Sequence, residues 1–290
     1  MKNSHPLIVI VGETASGKSG LALELAGLFD GEIVNADAWN VYTEMNIGTA
    51  KPSDVERSTI KHHIIDIKNP NDDYTVAEFK TDALESIKDI SSRGKLPIMV
   101  GGNGLYVDSV LFDYSFLPPG EPGERERLNK MSIEELLQII ELKKYSLVGI
   151  DIRNKRRLVR LIENKGKLPE KKDMRKDTLV IGLRISRTKL RNNIENRVEE
   201  MFRRGLRKEV DALVAKYGWE PEAMKGIGYY EFKQYYQGEQ SMTKTKQRIV
   251  SSTLKLAKRQ RTWFKKNQNI EWIEHKEQAF EKVRSFLNTH

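Results

Sequence analysis

Eight consecutive residues, Gly12-Glu13-Thr14-Ala15-Ser16-Gly17-Lys18-Ser19, fit the pattern G-x-x-x-x-G-K-[ST]. No other stretch restricts the fold as tightly, because this pattern works only between a strand and a helix. Both flanks are present. Leu7-Ile8-Val9-Ile10-Val11 is an apolar run of strand length, and Leu21, Leu25 and Leu28 fall on one face of a following helix. A second strand, 32–36, then ends at Asp37. Gly12 and Gly17 allow the backbone to fold around a phosphate, so that the N–H groups of the Thr14, Ala15 and Ser16 segment turn inward. The helix N-terminus adds partial positive charge. Lys18 adds a full charge, and the Ser19 hydroxyl can reach a phosphate-bound Mg²⁺. A bare glycine turn would need neither Lys18 nor Ser19. The loop therefore specifies a bound diphosphate or triphosphate, but not the reaction.

The chain has 290 residues, enough for one large domain or a core with a smaller module. Its formal net charge of +9, with 31% charged residues, suggests a polyanionic partner, although a lysine-rich solvated surface has the same signature. It contains no cysteine, which excludes disulfides and thiolate metal sites. The stretch before Leu7 is too short for a signal peptide, and no run approaches the roughly 20 apolar residues of a bilayer span. A soluble, cytoplasmic monomer without membrane contact is the expectation.

The residues after Asp37 read as a loop at the carboxyl end of the second strand, the edge of an open α/β sheet where ligands bind. A carboxylate there suits a general base or an indirect Mg²⁺ ligand, and an Asx turn is the bland alternative. His62-His63-Ile64-Ile65-Asp66 is a further short strand. Its adjacent histidines point to opposite faces, which argues against a shared metal. Thr75 and Glu78 have capping-box spacing and open a helix through about Ser92. Leu96 to Val100 is the next strand, and the Gly101-Gly102-Asn103-Gly104 segment after it brings Asn103 to the same sheet edge. Alternating strands and helices imply a doubly wound parallel sheet.

At about Tyr114 the character changes. Pro118-Pro119-Gly120-Glu121-Pro122-Gly123 breaks regular structure, and helical patterns follow at 133–142 and 154–164. On a helix, Arg153, Arg156, Arg157 and Arg160 share one face, as a phosphate backbone would require. A strand returns at Leu179 to Leu183, so the basic segment is an insertion. Two core-facing helices around Gly205, a glycine-bearing turn Lys225 to Tyr230 and a long basic helix from about Thr243 to Lys266 complete the chain. The fold class is thus α/β. A P-loop-type parallel sheet core spans 1–113, a helical insertion domain spans 114–177, and 178–290 completes the core with C-terminal helices.

Together these segments resemble the tRNA dimethylallyltransferases, the prenyltransferases that modify the adenosine 3′ of the anticodon. The resemblance rests on Gly12 to Ser19, Asp37 to Tyr42, Met45 to Pro52, His62 to Asp66, Val100 to Tyr106, Asn154 to Arg160 and Ala257 to Phe264. It spans nearly the whole chain in order, and Ile47 to Pro52 and Lys258 to Trp263 are its most specific parts. It implies that the P-loop, with Gly12, Thr14, Ala15, Ser16, Gly17, Lys18 and Ser19, holds dimethylallyl diphosphate, with Mg²⁺ on Ser19. It implies that Arg197 binds the diphosphate, that Asp37 is the base at the adenine amino group, and that Asn103 assists transfer. It implies contacts of the tRNA anticodon stem-loop with Asp37, Ala38, Trp39, Asn40, Arg125, Arg156, Arg157, Leu158, Val159, Arg160, Lys225, Gly226, Ile227, Gly228, Tyr229 and Tyr230. This chain departs from the family at Glu13, Ala38, Asn40 and Asn103, where Pro, Ser, Gln and Thr are usual. These departures bear on rate and tRNA preference more than on reaction class.

Three other activities compete with transfer to tRNA. A small-molecule kinase would bind ATP in the same loop, a prenyltransferase could act on free adenine nucleotides, and a non-catalytic RNA-binding regulator would leave Asp37 without purpose. The basic face and the Ile47 to Pro52 stretch favour tRNA.

Overall fold

The computed structural model describes residues 6–117, 121 and 123–289. Six strands form one wholly parallel sheet: β1 (Leu7–Gly12), β2 (Gly31–Asn35), β3 (His62–His63), β4 (Leu96–Gly101), β5 (Thr178–Leu183) and β6 (Ile270–Ile273). Their order is β3-β2-β4-β1-β5-β6. β1 pairs with β4 on one side, Ile10 beside Val100, and with β5 on the other, Ile10 beside Ile181. All six β1 residues are buried, as an uninterrupted apolar run between two strands requires. The chain builds outward on the β4 side first and then crosses to the β5 side. The end of β1 is therefore the topological switch point, and the P-loop leaves from there.

The helices follow their sequence signals with identifiable exceptions. α1 (Lys18–Leu28) starts from Gly17 at φ 95°, a left-handed conformation suited to glycine. It buries Ala22, Leu25 and Ala26 against the sheet and Phe29 packs with them, whereas Leu28 is 55% exposed. The expected Leu21–Leu25–Leu28 face is thus corrected at its last member, because Phe29 takes the final core position. The expected 62–66 strand holds only two residues, since Ile64 and Asp66 turn out of the sheet at φ 62° and 56°. A short α2 (Asp54–Thr59) precedes it. α3 (Val76–Ser92) opens at the Thr75–Glu78 capping box and buries Phe79, Ala83, Ile87 and Ile90. α4 (Gly104–Leu111) follows β4.

Two compact units result, one comprising 1–111 with 175–290 and the other Phe112–Met174. The second, against the expected 114–177, contains α5 (Glu124–Lys130), α6 (Ile133–Leu142) and α7 (Lys155–Glu163). Its core is Leu128, Leu136, Ile140, Leu158, Val159, Leu161 and Ile162. Most of the Pro118 to Gly123 breaker lies outside the described residues. The four-arginine face is corrected: α7 begins at Lys155, so Arg153 precedes the helix and bonds with Asp151 at 3.3 Å.

In the large unit, α8 (Arg187–Arg203) and α9 (Leu206–Tyr217) flank Gly205. A four-residue α10 (Lys233–Tyr236) precedes the long α11 (Met242–Phe264). The chain does not end in that helix, as the helical reading of its last segment expected. β6 adds a strand beside β5, and α12 (Lys276–Leu287) buries Ala279 and Val283 in the sheet core.

Candidate active site

The ends of β1, β2 and β4 set the positions of the polar groups. From β1 the chain turns at Gly12 and Ala15 (φ 60°) into α1. α8 and α11 hold this loop from the side. Gln260 Oε1 accepts the Thr14 N–H at 2.8 Å, Asn193 Nδ2 donates to Ala15 O at 2.9 Å, and Arg197 Nη1 donates to Thr14 Oγ1 at 3.1 Å. Lys18 Nζ lies 3.2 Å from Glu13 O. Burial, and secondarily Arg197, depress the Lys18 ammonium to about 8, although Asp37 and Glu13 favour its charge. Burial also lowers the Arg197 guanidinium, against the pull of Asp37. Two enclosed cations beside a phosphate-type loop form a site for a polyanion. The Glu13 carboxylate turns away from that site, buried, to Arg261 at 2.9 Å.

Asp37 follows β2. Its Oδ1 accepts the Trp39 N–H at 2.9 Å, forming the Asx turn considered for it. The turn uses one carboxylate oxygen and does not displace the residue from the cleft. A cavity of about 190 Å³ is lined by Thr14, Lys18, Ser19, Asp37, Asn40 and Arg197, among others. A second, of about 240 Å³, is lined by Trp39, Lys225 and Ile227, with Val198, Met201, Ile249 and Leu256 as apolar wall. Thr14, Asp37, Thr49, Ala50 and Arg197 line both. The two cavities therefore meet at the carboxylate. A larger hollow of about 710 Å³ opens on the β5–β6 side of Gly12 and Glu13, away from Asp37 and Lys18. We place the chemistry at the smaller pair, because only there do an anion cradle and a carboxylate share walls.

Other expected residues behave variously. Asn103 Oδ1 accepts the Tyr106 N–H at 3.4 Å at the start of α4, and Asn103 lines neither cavity. Ala38 is half-buried. Trp39 Nε1 donates to Ala223 O at 3.0 Å, which sets the indole against the Gly226 turn. A Cβ on Gly226 would lie 2.3 Å from that nitrogen, so only glycine fits. Asn40 donates to Asn35 Oδ1 at 3.3 Å. Lys225 pairs with Glu222 at 2.8 Å, the Gly228 N–H donates to Glu231 at 2.9 Å, and Tyr230 is half exposed. Tyr229 is corrected as an RNA contact, for its side chain is 0% exposed. Leu158 and Val159 are corrected likewise, since both fill the small unit's core. Arg156 and Arg157 are exposed on α7. Arg125 holds the buried Glu163 with two bonds of 2.7 and 2.8 Å, and Arg160 donates to it at 3.4 Å. Both arginines thus have a structural bond within their unit.

Sequence reasoning missed Gln260, Asn193 and Glu209. Gln260 lies within the Lys258 to Trp263 stretch, which signalled importance without a role. Glu209 carried no signal, although its carboxylate accepts the N–H groups of Asn46, Ile47 and Gly48 and the Tyr229 hydroxyl.

Comparison with known proteins identifies a family. A family model described as IPP transferase matches residues 40–267. The tRNA dimethylallyltransferase of Macrococcus caseolyticus is 38% identical over 296 residues, covering 97% of this chain and 94% of its own. That of Bacillus cytotoxicus is 36% identical, covering 94% and 91%. Among solved structures, the tRNA delta(2)-isopentenylpyrophosphate transferase of Staphylococcus epidermidis superposes with a TM-score of 0.74 at 33% identity, covering 98% of this chain and 99% of its own. A eukaryotic dimethylallyltransferase captured acting on tRNA gives 0.76 at 27% identity, covering 93% and 74%.

Proposed function

The chain belongs to the IPP transferase family, and from that premise we propose how it carries out the reaction of its relatives, transfer of a dimethylallyl group to tRNA. The donor is dimethylallyl diphosphate, and the acceptor is N6 of the adenosine 3′ of the anticodon. The observation that carries this reading is the junction of the two cavities at Asp37 and Arg197, with Lys18 and Ser19 lining only the first and Trp39 and Ile227 only the second.

The N6 lone pair forms a bond to C1 of the donor as the C1–O bond breaks. The diphosphate leaves with that electron pair, and Asp37 takes the N6 proton. Loop N–H groups, Lys18 and Arg197 stabilise the charge that grows on the leaving group. Among the described residues no three His, Cys, Asp or Glu side chains could together hold a metal ion. Ser19 lines the cradle, so its hydroxyl would hold Mg²⁺, which would supply further charge neutralisation. The adenine must leave its stack to enter, which costs a few kcal/mol. Basic residues of α11 offset this cost by gripping the stem. Asn103 acts indirectly, by capping α4. The expected form is a soluble cytoplasmic monomer, and no helix among the described residues is long and apolar enough to cross a membrane.

The test is incubation with labelled dimethylallyl diphosphate or ATP, with tRNA or AMP as acceptor. Label is expected on tRNA from the prenyl donor alone. Label on AMP, or phosphate transfer from ATP, would overturn the reading. Asp37→Ala should lower transfer by about 10² to 10⁴-fold, and near wild-type transfer would remove Asp37 from its role.

A further inference from the structure

Two stretches far apart in sequence, Met45 to Pro52 and Lys225 to Tyr230, meet through one side chain that the reaction does not use. Glu209, in the first turns of α9, points its carboxylate into a concave run of backbone amides. Oε2 accepts the Asn46 N–H at 2.9 Å and the Ile47 N–H at 2.8 Å, and Oε1 accepts the Gly48 N–H at 3.0 Å. Oε1 also accepts the Tyr229 hydroxyl at 2.8 Å. Successive amides that converge on an anion form a nest, filled here by the chain's own carboxylate. Tyr229 then lies flat against Gly48, where an added Cβ would come within 2.5 Å of its ring.

We propose that Glu209 is a positioning residue for the RNA side of the cleft, a role that rests on the functional reading above. Of the residues it anchors, Gly48 lines the second cavity. Gly48 and the following Thr49 and Ala50 line it together with Trp39, Lys225 and Ile227, and Thr49 and Ala50 line the first as well. The diphosphate cradle has separate supports, Asn193 and Arg197 on α8 and Gln260 on α11. Loss of the Glu209 carboxylate therefore releases one wall and leaves the phosphate loop braced. A carboxamide is a poor replacement, because its N–H₂ would confront amide N–H groups that now donate to Oε1 and Oε2.

The experiment compares wild type, Glu209→Gln and Tyr229→Phe in steady-state transfer, with amide hydrogen exchange at Asn46, Ile47 and Gly48. In Glu209→Gln we expect faster exchange at these amides and an apparent KM for tRNA raised at least tenfold. The KM for dimethylallyl diphosphate should stay within twofold of wild type. Tyr229→Phe, the milder change, should raise only the tRNA KM, by two- to threefold. A parallel rise in both KM values would make Glu209 a general fold support and overturn the proposal. So would unchanged tRNA KM values, or undiminished protection of the three amides. A wild-type chain that moves no prenyl label to tRNA overturns the functional reading itself, whereas an active wild type with kinetically silent variants overturns this inference alone.

Discussion

Two amide-rich loops, Asn46 to Gly48 and the P-loop, reach the second cavity through Gly48 and Thr14, and they differ in what meets them. Around Asn46 to Gly48 the anion is Glu209, supplied by α9. At the P-loop, Glu13 turns its carboxylate aside to Arg261, and neither Lys18 nor Arg197 forms an ion pair among the described residues. One loop is built to stay shut around a permanent charge. The other keeps two cations desolvated beside a cavity, the arrangement that strengthens their attraction for an incoming polyanion. The same backbone geometry therefore serves architecture in one place and ligand capture in the other, and the nearest carboxylate decides which.

The contrast breaks most visibly at Lys18. Lys18→Met should reduce transfer by about 10² to 10³-fold, the usual loss when one charge stabiliser of a transition state is removed, measured as single-turnover rate. The same group sets a pH dependence. Its ammonium titrates at about 8, so the charge is present below that pH and lost above it. The KM for the diphosphate donor should rise as pH climbs through 8 and recover on acidification.

Glu32 sharpens the comparison as a third charge met within the chain. Bonds from Arg93 at 2.5 and 2.7 Å, and secondarily from His63, hold its carboxyl at about 2 against burial, which pushes the other way. A depressed carboxyl adds stability above its unfolded pKa, and that stability is lost as pH falls through the folded one. Glu32 should therefore contribute about 2 to 3 kcal/mol at neutral pH. The contribution fades between about 4.5 and 2 and is absent from Glu32→Gln in acid unfolding.

Gly48→Ala attacks the filled nest sterically. A Cβ 2.5 Å from the Tyr229 ring must displace it, so we expect a loss of about 2 kcal/mol in denaturant unfolding. The smallest effect belongs to Glu13, the residue that departs from the family's proline. Arg261→Met leaves its buried carboxylate without the 2.9 Å partner, but Arg261 is 25% exposed and water softens the penalty. About 1 kcal/mol and a drop of a few degrees in Tm are expected, with donor KM little changed.

Much of the fold was legible because it rests on local signals. The apolar β1 run, the Thr75–Glu78 capping box and the Gly12 to Ser19 spacing each predict an element from neighbouring residues, and each element is present. Leu28 misled, because periodicity cannot tell which of two adjacent apolar residues, Leu28 or Phe29, faces the sheet at a helix end. The four residues of β6 are too few for a periodic signal, and they form a strand only because the edge of β5 offers hydrogen bonds. The arginine face lost its first member for a related reason: Arg153 precedes the Asn154 cap, where helical periodicity no longer applies.

From the sequence alone came the phosphate loop, the strand-helix alternation, the insertion and the carboxylate at the end of β2. These depend on short-range geometry and on charge. Only the tertiary structure decided that Asp37 joins two cavities, that Tyr229 is buried, and that Glu209 closes a nest some 160 residues away in the chain (separations of 161 to 163). Which donors and acceptors meet across such separations is set by packing of the whole sheet and its helices. No local pattern records it.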